Sequence, residues 1–280
     1  MALKGVLFLI MKPFFKQEQK LCERRITDCL RKLDAGCCDF EFYEETDSTN
    51  SRAVEYLKNG KTPFAIVAAH QTDGKGRFDR SWRDFSGRSI CITCGFVLKG
   101  VSSEVVEKFS ILAGVNVAST LSDYCKCRLK IKWPNDIFFE GRKLGGMIGQ
   151  CFLEGGKLDS MIFGIGVNFG KINSFDGGNP VSMEECANAE IEINEACALV
   201  VNSVFSAFKT LSENPETDIC KIFEPFDFLR GKVISVNNFN NVLRGTAAGV
   251  DSKGRLLLET KSLGTVACGA GETTILKDFK

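Results

Sequence analysis

Between Arg128 and Phe169 the chain reads as one run of strands, RLKIKW, DIFFEGRKL and GGMIGQCFLEGGKLDSMIFGIGVNF, punctuated by Glu-Gly and Gly-Gly pairs. Glycine takes the backbone angles that tight turns demand, so these pairs mark short connections between strands. A chain with so many consecutive strands must build a sheet, and the rest of it has to cover that sheet. FAIVAA (64–69) and RSICITCGFVL (88–98) read as two more strands. STNSRAVEYLKNG (48–60) opens with N-cap residue types, puts Ala53, Val54 and Leu57 on one helical face and stops at Gly60. VEKFSILAGVNVASTLSDY (106–124) keeps helical periodicity despite Gly114, and INEACALVVNSVFSAFKTLS (193–212) is an amphipathic helix. The pattern predicts a mixed α/β (α+β) fold. From Gly231 onward only short strands remain, separated by Asn-Asn, Asp-Ser-Lys-Gly and glycine-rich turns, which predicts a small independent β-barrel. The expected division is an N-terminal extension of uncertain role (1–39), a main domain (40–229) and the barrel (230–280). Within the extension, Val6–Met11 reads as a strand and residues 17–40 as a helical lead-in.

Charge and cysteine content narrow the function classes. Lys and Arg total 36 against 35 Asp and Glu, too even a balance for a general nucleic-acid binder. The lead-in shows no pair of helices joined by a short turn, so no DNA-reading headpiece is expected. The apolar run at the N-terminus is broken by Lys12 and Pro13, and no later run reaches membrane-spanning length. Thirteen cysteines in 280 residues do not form a secreted framework, because a chain of this size buries a core without staples. Cys91-Ile-Thr-Cys94 has half-site spacing, but no second pair matches it, the chain has one histidine, and strand alternation puts the two thiols on opposite faces. Reduced cysteines in a cytoplasmic protein are the expectation.

Four segments carry chemistry. Ser48-Thr49-Asn50 at a helix start can cap the helix or offer short polar groups and free N–H donors to a polar ligand. HQTDGKGRFDRSW (70–82) gathers Lys75, Arg77 and Arg80 among glycines and ends on Trp82. Such a loop is either a solvated surface or an anion site, and the indole suits an aromatic base. In KIKWPNDIFF, Pro134 forces a bend that leaves Lys132, Asn135 and Asp136 at a corner. A carboxylate beside an amide there suits a magnesium ion or a ribose, or is an ordinary turn. Lys143 in GRKLGG precedes a glycine pair, and GIGVNF (164–169) places Asn168 near a strand end. Gly164, Gly166 and Gly170 do not make the dinucleotide fingerprint, and no G-x-S-x-G elbow exists.

STN, QTDGKGRFDRSW, KWPND, KLGGMIGQ and GIGVNF stand in the order and approximate spacing of the biotin–protein ligases, and FLRGKVISV…GTAAGVDSKGRLLLE resembles their C-terminal SH3-like barrel. The resemblance runs from about residue 40 to 280. It implies a catalytic domain with a mixed sheet, related to class II aminoacyl-tRNA synthetases and lipoate ligases. It further implies ATP- and Mg2+-dependent formation of biotinyl-5′-AMP, then transfer of biotin to a lysine of a biotin carboxyl carrier domain, with neither nucleic acid nor membrane as partner. Carried over, Ser48, Thr49, Asn50, Gln71 and the backbones of Lys75, Gly76 and Arg77 surround biotin. Arg77 and Arg80 face phosphates, Trp82 stacks on adenine, Asn135 and Asn168 contact the nucleotide, and Asp136 assists the metal. Lys143 reaches both the biotin carboxylate and the adenylate phosphate, and with Arg77 it is the catalytic expectation. Lys75 stands where the family more often has arginine, and Phe78-Asp79 replaces a more basic or glycine-containing pair. The nearest rivals are a lipoate–protein ligase and a biotin-responsive repressor or binding module without ligase activity.

These residue types suit adenylation. A carboxylate and an α-phosphate repel each other, and Lys143 and Arg77 can neutralise both and hold them in contact. A glycine-bearing loop can fold over the resulting mixed anhydride and exclude water.

Overall fold

The computed structural model describes residues 19–33, 38–78, 80–84, 88–172, 179–238, 241–269 and 272–276. The strand expected at Val6–Met11 lies outside them. The run between Arg128 and Phe169 is four successive antiparallel strands, β4 (Lys130–Lys132), β5 (Asp136–Phe139), β6 (Arg142–Glu154) and β7 (Lys157–Asn168). Glu140-Gly141 and Gly155-Gly156 close the last two turns with φ of 47°, 80°, 57° and 78°. Two successive positive φ angles match the twist of a tight hairpin, which explains the Glu-Gly and Gly-Gly pairs.

Three further strands complete the sheet: β1 (Asp39–Thr46), β2 (Phe64–Gln71) and β3 (Ser89–Val97). The order is β1-β2-β3-β7-β6-β5-β4. Only β1 and β2 pair in parallel, because helix α2 (Thr49–Lys58) forms the crossover between them. The result is the expected mixed sheet.

Alternation on β7 divides the two faces. Met161, Phe163, Ile165 and Val167 join the main core, under helices α3 (Ser103–Cys125) and α5 (Ile193–Glu213). Phe109 of α3 is fully buried there, with the rings of Phe96, Phe163 and Phe208 at 5.5, 5.0 and 5.9 Å between centroids. A Cβ at Gly114 would come within 2.9 Å of Met147 Cε, so the glycine inside α3 lets helix and sheet approach. Among the described residues the lead-in contains one helix, α1 (Glu23–Lys32), which packs on α5 through Ile26 and Leu30. The opposite face is only partly covered: Ala53 of α2 packs with Phe64, Ile66 and Ile162, and the remainder of that face is open to a ligand. Cys91 and Cys94 are both buried, and Cys94 belongs to the helix-side core.

After α5, a short helix α6 (Ile219–Phe223) and a single 3-10 turn (Glu224–Phe226) lead into five strands. These are β8 (Val233–Asn238), β9 (Asn241–Val250), β10 (Leu256–Thr260), β11 (Gly264–Cys268) and β12 (Glu272–Ile275), in the antiparallel order β11-β10-β9-β8-β12. This small sheet grips the turn between β4 and β5. The buried Trp133 donates from Nε1 to Gly254 O at 2.9 Å, and Thr273 Oγ1 donates to Trp133 O at 3.2 Å. No helix among the described residues is long and apolar enough to cross a membrane.

Candidate active site

The open face of the sheet is flat because of its glycines. Gly164 and Gly166 alternate on β7 with the core residues, and Gly146 pairs with Gly166 across β6. A Cβ at Gly164 would lie 2.4 Å from Asn50 Oδ1, and one at Gly166 would lie 2.3 Å from Trp82 Cε2. The GIGVNF pattern therefore encodes a two-residue period, with glycine toward the site and apolar side chains toward the helices.

At one end, the start of α2 faces the cavity. Ser48 caps the helix by accepting from Asn50 N–H at 3.3 Å. Gln71 Oε1 accepts from the Thr49 N–H at 2.7 Å and from Thr49 Oγ1 at 3.0 Å. Thr93 Oγ1 donates to Asn50 Oδ1 at 2.6 Å and lies 2.8 Å from Thr49 Oγ1. Ser48 thus caps the helix, and Ser48, Thr49 and Asn50 all line the cavity.

Over the floor runs the cationic segment, which is a small hairpin and not an open loop. Lys75 bridges Ser81, Gly76 N–H donates to Arg80 O at 2.7 Å, and Trp82 N–H donates to Gly74 O at 2.7 Å. A Cβ at Gly74 would stand 2.6 Å from Trp82 O, so this glycine is required by the close approach of the two legs. Behind the second leg, Asp84 accepts from Gln71 N–H at 3.1 Å, and its Oδ2 lies 2.9 Å from His70 Nδ1. Trp82 lies flat on Gly166, half-buried. Arg77 reaches across the cavity and donates to Asn135 Oδ1 at 2.7 Å. Burial pushes its guanidinium below the ordinary arginine value, and Asp136 nearby works against that. Phe78, at φ 56°, lies under the Arg77 guanidinium at 4.8 Å and the Arg80 guanidinium at 5.9 Å. The Phe78 substitution noted above thus supplies a ring that steadies both cations.

The far wall is the β4–β5–β6 corner. Asn135 is held by its own amide, which donates to Met147 O at 2.7 Å. Lys132 and Asp136 face each other across the hairpin. Lys143 Nζ pairs with Asp136 Oδ1 at 2.7 Å, and 42% of the lysine side chain is exposed. Strict alternation would turn Lys143 toward the core with Gly145 and Met147. Instead Ile137 pairs with Gly145 while Phe138 pairs with Lys143, which leaves Leu144 as an extra residue. That bulge buries Leu144 and puts Lys143 on the same face as Gly146. A Cβ at Gly146 would crowd both members of the ion pair, at 3.2 Å from Asp136 Oδ1 and 3.3 Å from Lys143 Nζ.

Ser48, Thr49, Asn50, Gln71, Lys75, Gly76, Arg77, Arg80, Trp82, Asn135, Asp136 and Lys143 thus line one cavity. Asn168 does not. It is buried at the end of β7, its amide donates to Val181 O at 3.1 Å, and it ties the segment before helix α4 (Met183–Cys186) to the sheet. The cavity also takes Trp133, Met147, Ile148 and Thr273, which the sequence reading did not single out. Thr273 arrives from β12, and nothing local in its sequence signals that contact.

Residues 42–168 match the biotin/lipoate A/B protein ligase family. The chain is 25% identical over 254 residues to the "Bifunctional ligase/repressor BirA" of Bacillus subtilis, covering 88% of this chain and 76% of that protein. It is 27% identical over 135 residues to the biotin–[acetyl-CoA-carboxylase] ligase of Mycobacterium tuberculosis, covering 46% of this chain and 51% of that one. The fold superposes on the Aquifex aeolicus biotin protein ligase solved with biotin and ATP at a TM-score of 0.74, with 22% identity over 86% of this chain and 99% of that one. The Leishmania major biotin protein ligase solved with biotinyl-5-AMP gives 0.55 and 21% over 86% and 99%. The family match runs from within β1 to the end of β7 and so includes every strand that floors the cavity, and in sequence and fold the chain is similar to biotin–protein ligases.

Proposed function

We propose that the chain activates biotin with ATP as biotinyl-5′-AMP and transfers the acyl group to a lysine of a biotin carboxyl carrier domain. The observation that carries this is the convergence, in one cavity, of Lys143 beside Asp136 and Arg77 beside Asn135. Both cations are held by partners that an incoming anion can replace. The Ser48-Thr49-Asn50-Gln71 network offers matched donors and acceptors to the ring system of biotin, and its carboxylate then lies toward Lys143. Trp82, flat on Gly166, turns its free face to an adenine. Arg80 and Arg77 accompany the phosphates. Relatives named for biotin–[acetyl-CoA-carboxylase] ligation support the carrier domain as acceptor.

In the first half-reaction the biotin carboxylate attacks the α-phosphorus of ATP and pyrophosphate leaves. Lys143 and Arg77 neutralise the two anions and hold them in line, and charge-assisted hydrogen bonds of this kind contribute about 1.5–3 kcal/mol each. The hairpin roof excludes water from the mixed anhydride. In the second, the carrier's lysine amine attacks the acyl carbon and AMP leaves. Among the described residues no group of three or more metal-ligating side chains is present. Asp136 alone suits a Mg2+ ion bound mostly through the nucleotide's phosphates, where the ion supplies charge neutralisation. In this reading residues 40–229 are the catalytic domain, residues 230–280 the SH3-like barrel, and residues 1–39 an extension with no assigned role. The described cysteines are all free thiols, which suits a reducing compartment such as the cytoplasm.

The test is ATP–pyrophosphate exchange with biotin and with lipoate supplied separately. Exchange driven by biotin is expected. Exchange driven by lipoate alone would overturn the substrate assignment.

A further inference from the structure

The hydroxyls behind the head of α2 hold fewer protons than they have contacts. Three oxygen–oxygen contacts run in a row: Gln71 Oε1 to Thr49 Oγ1 at 3.0 Å, Thr49 Oγ1 to Thr93 Oγ1 at 2.8 Å, and Thr93 Oγ1 to Asn50 Oδ1 at 2.6 Å. Both ends of the row are acceptors. Gln71 must turn its carbonyl oxygen to Thr49, because the Thr49 N–H, which can only donate, reaches the same atom at 2.7 Å. Asn50 must turn its oxygen to Thr93, because 2.6 Å suits O–H···O and is too close for an amide nitrogen. The amides therefore bring no proton to the row, and the two threonines bring one each. Thr93 gives its proton to Asn50 at the shortest contact. The Thr49 proton then serves Gln71 or Thr93, never both. While it serves Gln71, the lone pairs of two hydroxyls face each other at 2.8 Å. Thr93 is fully buried and Thr49 is 3% exposed, so bulk water does not relieve that contact. Thr93 sits on β3 between Ile66 of β2 and Gly164 of β7. It is not among the residues lining the cavity, whereas Thr49, Asn50 and Gln71 are, so it acts on a ligand only through them.

We propose that Thr93 is a positioning residue that makes the pocket select a head group bearing an N–H, an inference that rests on the ligase reading and deepens it. A ligand N–H delivered to Gln71 Oε1 takes the place of the Thr49 hydroxyl there. The Thr49 proton turns to Thr93, and each remaining contact in the row then holds one proton. Gln71 Oε1 still accepts two hydrogen bonds, from the Thr49 N–H and from the ligand, one for each lone pair. Ser48 accepts from Asn50 N–H and so keeps its own proton, which it can give to a carbonyl beside the ligand N–H, since it lines the same wall. An N–H next to a C=O is the pattern of a cyclic urea. The dithiolane ring of lipoate has neither group and leaves the two hydroxyls opposed. Selection thus lies one layer behind the cavity wall, in a side chain that does not touch the ligand.

The experiment measures, by calorimetry on the full chain, the affinity of wild type, Thr93→Val and Thr93→Ser for biotin and for two biotin analogues in which one or the other ring N–H is replaced by oxygen. Valine keeps the shape of threonine without its hydroxyl, and serine keeps the hydroxyl without the methyl. Thr93→Val should weaken biotin binding about tenfold, and Thr93→Ser should stay within about threefold of wild type. In wild type at least one oxygen analogue should bind about tenfold more weakly than biotin. That discrimination should shrink by about threefold or more in Thr93→Val, because the lost hydroxyl and the lost N–H belong to one row. ATP affinity should stay within about twofold throughout, which reports an intact cavity. The reverse order, with valine keeping biotin and serine losing it, would assign Thr93 to packing and overturn the proposal, as would equal discrimination in wild type and Thr93→Val. The analogues also decide the matter in wild type alone: if both bind as tightly as biotin, no N–H is selected and the proposal falls. Wild type with no affinity for biotin would refute the ligase reading itself, an outcome distinct from all of these.

Discussion

Gly166→Ala tests how the floor of the cavity seats Trp82. The added Cβ would lie 2.3 Å from Trp82 Cε2, 2.5 Å from Cζ2 and 2.8 Å from Cδ2. Carbon atoms settle at about 3.5–4.0 Å, so the indole must lift by roughly 1.2–1.7 Å into the space proposed for the adenine. Base–aromatic stacking contributes about 1–3 kcal/mol. Losing it weakens ATP binding by about 5- to 150-fold, at about 1.4 kcal/mol per decade. Titration calorimetry with ATP reads the affinity, and Trp82 emission, recorded in a Trp133→Phe background, reads the displacement of the ring. Biotin affinity should change much less, because the Asn50–Thr93–Gln71 network lies over Gly164 and away from Gly166. In the double variant with Trp82→Ala, the Gly166→Ala penalty should disappear, since the two changes remove one contact. A displaced indole with ATP affinity within twofold of wild type would refute the adenine role of Trp82. An unchanged emission spectrum would refute the packing argument itself.

Three further outcomes follow from the same geometry. Lys143→Ala should slow biotin-dependent pyrophosphate exchange by about 100-fold or more, in kcat more than in KM, if the ammonium's contact tightens as charge develops; an equal loss in Arg142→Ala would show that general disruption of β6 is responsible. Phe109→Ala removes a fully buried ring from between three others and should cost about 3–5 kcal/mol by denaturant unfolding, with biotin still bound by the folded fraction. Burial alone would raise the Glu185 carboxyl, but hydrogen bonds from Arg142 and Ser182 outweigh it and hold the group below the ordinary glutamate range. A depressed acid stabilises the fold above its unfolded pKa and loses that contribution as pH falls through the folded one, so the stability advantage of wild type over Glu185→Gln should be full near pH 7 and shrink below about pH 4.

The sequence was most informative where one residue type answers one local demand. Glu140-Gly141 and Gly155-Gly156 had to be turns because two positive φ angles in succession exclude most side chains. Ser48 could be read as a cap because the N-terminal amides of α2 need an acceptor. Lys143 was found by resemblance, but what aims it was not legible: the extra residue at Leu144 sits between ordinary strand residues, and a bulge depends on the partner strand's register. Gly164 and Gly166 stand out as glycines that make no dinucleotide fingerprint, but their purpose is not legible locally, since the ring and amide that press on them come from distant segments. Lys75 and Arg80 suggested a pliant loop, whereas backbone pairing of Gly76 with Arg80 and of Trp82 with Gly74 makes a hairpin. Asn168 lies beside the cavity and not in its lining, with its amide donating to Val181 O, a placement that depends on the distant segment before α4. Thr273 could not be anticipated, because it reaches the site only after five strands have closed on the Trp133 turn.

The bonds from Trp133 to Gly254 and from Thr273 to Trp133 make the tail a clamp on the β4–β5 corner of the cavity. Clipping the chain ahead of Gly231 would strip the indole of its acceptor and bare an otherwise dry ring. On the nucleotide placement proposed above, a shortened protein of that kind would suffer first in its handling of ATP, and a grafted tail from a relative would succeed only where it brought its own counterpart to Gly254.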